Sequence, residues 1–252
     1  MEWIGAVYHR SRGLELGTVS PGILASVFRE QSAKWETIAR ELVSYIILLV
    51  HQFIIKALDV VCTDKQVYKS IVSAITKDLG DGYQSGIDHV KLLADIERQL
   101  KPYTLNHCFA QNQQKRTGSR LRQTLKPMAW VKRKYEGLDG MGKLCLMLDD
   151  VTKAATNKSN ADQAKEAIHD TLQAYYKVAY KRFVDNVFTQ AVDYKLLSGP
   201  NNPLGIFCDK WVLDLDADQL QALAGESRRT RESRDRLQKE VEDLELALKI
   251  LL

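Results

Sequence analysis

Apolar positions in this chain recur at steps of three, four and seven, and nowhere alternate as a half-buried strand would. The pattern predicts helices throughout. Residues 1–22 read as an irregular lead-in, because His9 to Gly13 is polar and Gly17, Pro21 and Gly22 break structure. Ser20 before Pro21 suits a helix start. From Ile23 to about Cys62 the stripe runs through Phe28, Trp35, Ile38, Leu42, Tyr45, Ile46, Leu49, Phe53, Leu58 and Val61. One unbroken helix of that length would be about 60 Å long. Thr63-Asp64 is expected to cap a shorter helix to about Leu79, and Gly80-Asp81-Gly82 to interrupt it. A further helix is expected from Ser85 to Leu100, with Lys101-Pro102 as a stop or kink.

Periodicity fades between Gln111 and Ala161, a stretch with several glycines that reads as an inserted loop. It returns at Ala161, where Ile168, Leu172, Tyr175, Tyr176, Ala179, Phe183, Val187, Ala191 and Tyr194 make a heptad-like stripe to about Leu197. Ser198 to Gly205 is a hinge candidate, and a short helix is expected over Asp216 to Ala224. The last stretch, Glu226 to Leu252, carries Leu237, Val241, Leu244, Leu248 and Leu251 on one stripe of a charged helix. Burying one such side chain fully is worth about 1.5–3 kcal/mol. That seam is therefore expected to dock on another helix, in this chain or another. The fold class is all-α, as an elongated antiparallel bundle with a C-terminal amphipathic helix. Its segments are 1–22, 23–110, 111–161 and 162–252, the last divided into a long helix (162–197), a hinge (198–205) and a terminal helix (226–252).

Composition adds little: 45% apolar and 27% charged residues over 252 positions suit an ordinary globular protein. A formal charge of +4 does not by itself imply nucleic acid. Cys62, Cys108, Cys145 and Cys208 lie far apart, which suggests neither a zinc framework nor a disulfide scaffold, and reduced cytosolic thiols are expected. The first residues lack the apolar core of a signal peptide. Leu42 to Cys62 is the segment most like a membrane span, but His51, Gln52, Lys56 and Asp59 interrupt it, and a mostly buried bundle helix is expected instead.

Catalytic motifs are weak. Gly137 to Lys143 fits the first seven positions of a phosphate loop, but Leu144 stands where Ser or Thr would hold magnesium. A basic segment precedes it rather than a buried strand. His9, His51, His89, His107 and His169 have no metal-ligand spacing. No catalytic residue, nucleotide site, metal or cofactor is assigned. A basic cluster in the loop is more informative: Lys115, Arg116, Arg120, Arg122, Lys126, Lys132, Arg133 and Lys134, without an intervening acid and with Trp130 among them. Cations beside interfacial aromatics suit an anionic membrane surface or a protein target. A solvated loop explains the same residues, and both readings stand. No nucleic-acid module accompanies the charge.

Three stretches resemble dynamin-related large GTPases, the Mx-like group included. Tyr8 to Gly17 followed by Phe28-Arg29-Glu30-Gln31-Ser32 resembles the junction into the second stalk helix. Lys101 to His107 resembles the end of the third stalk helix. Ile168 to Leu252, with Tyr175 to Asp185 and the terminal seam, resembles the GTPase effector domain. The resemblance implies a stalk and effector portion without the family's G domain or first stalk helix. GTP and magnesium would then act only through a G domain outside this chain. It implies self-assembly through the stalk, with Arg10, Arg12, Gly13 and Glu15 as an assembly contact. It implies a stalk-tip loop at the basic cluster, and a terminal helix that docks on a G domain in trans. The family serves membrane fission, organelle division and, in some members, microtubule binding. The implied setting is the cytoplasm or the periphery of an organelle membrane. A helical adaptor or membrane scaffold unrelated to GTP hydrolysis is the alternative.

Overall fold

The computed structural model of the chain describes residues 2–10, 21–132, 143–145, 147–149, 151–152, 159–226 and 228–251. Its helices are α1 (Glu2–Arg10), α2 (Pro21–Gln31), α3 (Trp35–Val61), α4 (Lys65–Gln99), α5 (Cys108–Leu125), α6 (Asn160–Asn186), α7 (Asp209–Leu213), α8 (Ala217–Ala224) and α9 (Arg228–Leu251). A π-helical segment, Val187–Ser198, extends α6. The fold is all-α apart from a small antiparallel ribbon, in which β1 (Trp130–Lys132) pairs with β2 (Lys143–Cys145). The chain forms two compact units, residues 1–42 with 88–190, and residues 43–87 with 191–252.

In the first unit α1 and α2 pack on each other and on α6, and α5 packs on α6. Val27, Phe28, Ile168, Ala174 and Ala179 are fully buried there. Phe28 meets Trp35 and Tyr175 edge-on at 5.5 and 5.0 Å, and Trp35 stacks on Phe183 at 5.1 Å. The Trp35 indole donates to the Tyr176 hydroxyl at 3.0 Å, so a large apolar ring is buried with its polar atom satisfied. Glu97 is almost wholly buried and accepts two hydrogen bonds from Arg182, at 2.6 and 2.7 Å. Arg182 also donates to the Tyr103 carbonyl, which ties the extended residues after α4 to α6.

The second unit is built on a helical hairpin. Val50, Ile54 and Leu58 of α3 share one buried cluster with Ile71, Ile75 and Leu79 of α4, and Ile206, Phe207 and Trp211 pack against it. Asp64 caps α4, its carboxylate accepting from the Gln66 and Val67 amides at 2.6 and 3.3 Å.

Several expectations need correction. The lead-in is not wholly irregular: residues 2–10 form α1, which buries Ile4 and Val7. The helix expected from Ile23 to Cys62 is divided at Ser32–Lys34, where the Ser32 hydroxyl donates to the Phe28 carbonyl at 2.7 Å and Trp35 restarts the helix. Such back-bonding by serine competes with the helical ladder. Gly80-Asp81-Gly82 does not interrupt α4. A side chain at Gly82 would lie 3.1 Å from Pro203, and one at Gly86 would lie 3.0 Å from Leu196, so these two glycines admit neighbouring structure. The loop expected over 111–161 begins with a helix, since α5 runs to Leu125. α3 is not mostly buried, because only one of its faces has a partner in the hairpin.

Other expectations hold. α4 stops at Gln99, before Lys101-Pro102. α6 starts where periodicity returns, with Ser159 capping it through the Asp162 amide. α8 has a full capping box between Asp216 and Gln219. At Ser198–Gly205, read as a hinge candidate, only the break is seen: it is a bonded turn, in which Asn202 accepts from the Gly205 amide at 2.8 Å and Pro203 is buried.

Candidate assembly surfaces

Among the described basic residues of 115–134, two are engaged with a neighbouring helix. α5 carries Lys115, Arg116, Arg120 and Arg122, and it meets α6 through polar groups. Arg120 pairs with Glu166 at 3.0 Å and with the buried Asp170. Thr117 donates to Asp170 at 3.3 Å, Gln113 donates to Thr171 at 3.1 Å, and Arg116 donates to Gln173. Gln173 donates in turn to His169 Nε2 at 2.8 Å, which fixes that nitrogen as an acceptor. Burial, then the positive charge of Arg120, lowers the His169 pKa below its ordinary 6.5. A cavity of about 310 Å³ opens between these side chains. Arg120 and Arg116 are thereby engaged in joining α5 to α6. Lys115, Arg122 and Lys126 are exposed. Trp130 and Lys132 lie on β1, while Arg133 and Lys134 lie outside the described residues.

The remaining sequence candidates fare unevenly. Arg10 ends α1, and Arg12, Gly13 and Glu15 lie outside the described residues. Gly137 to Gly142 also lie outside them, but Lys143 stands on β2. A phosphate loop leads from its lysine into a helix, whose N-terminus helps to hold the phosphate. A strand at this position departs from that geometry. Among the described residues, His, Cys, Asp and Glu form no group arranged to hold a metal.

Two apolar surfaces in the second unit are uncovered. On α3, Tyr45, Leu48, Leu49 and Phe53 are exposed. Ile46, Leu49, Val50, Phe53, Leu197 and Leu204 line an apolar groove of about 390 Å³. Residues 45–50 carry the sequence signal for it: six apolar residues in a row cover more than one face of a helix, and a hairpin partner covers only one. By length and composition α3 could cross a membrane, with 22% of its most apolar window buried.

The second surface is α9. Every described side chain on it is exposed, with Leu237 53%, Val241 49%, Leu244 69% and Leu248 60% accessible. The seam expected to dock is thus left accessible at its four residues of described burial. Leu251, the last seam residue, ends the helix. No protein-family model, no curated protein and no solved structure matches this chain.

Proposed function

We propose that this chain is a non-catalytic assembly module: the stalk and effector portion of a dynamin-like GTPase. It couples a G domain, supplied outside the chain, to oligomerisation and membrane remodelling. The observation that carries this reading is α9, which presents four accessible seam residues at steps of four, three and four on a charged helix. Exposed apolar stripes of this kind mark protein contact sites. The resemblance of Ile168–Leu252 to an effector domain supplies the kind of partner. In the finer reading the remaining helices form an elongated antiparallel bundle, and Ser198–Gly205 is the joint ahead of the terminal helices. The module works at the cytoplasmic face of an organelle membrane.

The apolar groove of α3 favours a second reading, a helical adaptor that recruits an amphipathic helix with no link to GTP. One experiment separates them. A dynamin-like G domain carrying its own bundle helices is titrated with the full chain and with Leu244→Asp. Binding by the native chain, lost in the variant, is the expected result. Binding that is equal in the two, or absent in both, removes the effector assignment and leaves the adaptor.

A further inference from the structure

The charges of α9 are divided along its length, basic residues first and acidic residues after them. Its first half carries Arg228, Arg229, Arg231, Arg234, Arg236 and Lys239 against Glu232 and Asp235, and no acid stands in the first turn. Its second half carries Glu240, Glu242, Asp243 and Glu245 against Lys249, which stands in the last turn. An isolated helix favours the reverse order, with acids at the N-terminal end and bases at the C-terminal end. The steps of the seam are those of a heptad, the spacing of a two-helix seam. Arg234 falls on the same seam, one step ahead of Leu237. We propose that, where no G domain occupies this seam, it pairs antiparallel with a second copy of α9. This rests on the reading of α9 as a docking helix and adds an occupant that competes with the G domain for the same residues.

Orientation follows from which residues would face each other. A parallel pair sets Arg234 against Arg234 in the seam and Glu240 against Glu245 on both flanks, all repulsive. An antiparallel pair centred near Gln238 sets Leu237 against Val241, and Arg234 against Leu244, whose side chain the aliphatic stem of the arginine can cover. On the flank it sets Arg231 of one copy beside Glu245 of the other, twice by symmetry. Its one repulsive contact is Glu240 with Glu240. The basic half of each helix then lies along the acidic half of the other, and the two dipoles oppose. Complementary flanking charges and a single polar seam residue are the means by which coiled helices select orientation.

The test uses the full chain. Wild type is expected to sediment as a dimer at about 100 µM, a concentration that reveals even a modest helix pair. Arg231→Glu and Glu245→Arg each weaken the dimer about tenfold, and the double exchange restores it, since each single change reverses two attractions. Both positions are exposed, so the fold is not at stake. Under mild oxidation Gln238→Cys gives a 238–238 cross-link identified by peptide mass, and Leu244→Cys gives none to itself. A monomeric wild type, a double exchange that fails to restore the dimer, or a 244–244 cross-link would each overturn the pairing. If the pairing fails while Leu244→Asp still abolishes G-domain binding, the effector reading survives without it. If Leu244→Asp changes neither dimer nor G-domain binding, both fall.

Discussion

Glu97 and Arg182 show how a single residue can decide a local structure. The Glu97 carboxylate is buried, and two charge-assisted hydrogen bonds from Arg182 satisfy it. Removing the arginine strands a charge where water cannot reach it. Arg182→Met is therefore expected to lower stability by about 2 kcal/mol in urea unfolding, below the full value for a buried pair because the arginine is partly solvated. A combined Glu97→Leu, Arg182→Met chain should lose less. His169 gives a pH dependence. The unfolded chain takes up a proton near pH 6.5, whereas the folded chain holds His169 neutral to lower pH. The associated stability is complete above that pH and is lost as pH falls through it. His169→Gln should flatten the decline in Tm between pH 7.5 and 5, read by calorimetry. No sequence signal distinguished His169 from the four other histidines, because its perturbation comes from burial against other elements and then from Arg120 on another helix.

At the scale of elements, the glycines of α4 divide by what surrounds them. Nothing lies near a side chain added at Gly80, whereas one added at Gly86 meets the fully buried Leu196. Gly80→Ala is expected to raise stability by about 0.5–1 kcal/mol through helix propensity alone. Gly86→Ala should lower it by about 1 kcal/mol, because overpacking outweighs the same gain. Thermal melts of the two variants check both signs. The sequence showed glycines in a helical pattern but not which of them touch another element. α5 was missed for a related reason. Its contact with α6 runs through Arg120, Thr117 and Gln113, so it has almost no apolar stripe to read. α8 was legible, because Asp216 and Gln219 cap it locally.

On the scale of the whole molecule, no described apolar side chain of α9 is buried. Removing residues 228–252 should therefore leave Tm within about 1 °C of the full chain, by the usual scaling of Tm with stability. The same deletion should abolish any self-association that depends on the seam. A fall of several degrees would show instead that the helix docks on its own chain. The exposed face of α3 has the opposite character, since its inner face holds the hairpin core. Changes there disturb folding and contact together. α9 is the surface where assembly can be altered alone.

The sequence by itself determined the helical class, the starts of α2, α4, α6 and α8, and the seam of α9. These depend on periodicity, caps and breakers within a few residues of one another. Tertiary structure alone decided that Arg116 and Arg120 bind α6, that Gly82 and Gly86 admit neighbouring elements, and that α3 keeps an apolar face uncovered. Each of those outcomes depends on which distant residue arrives beside a side chain, and spacing along one chain carries no record of that.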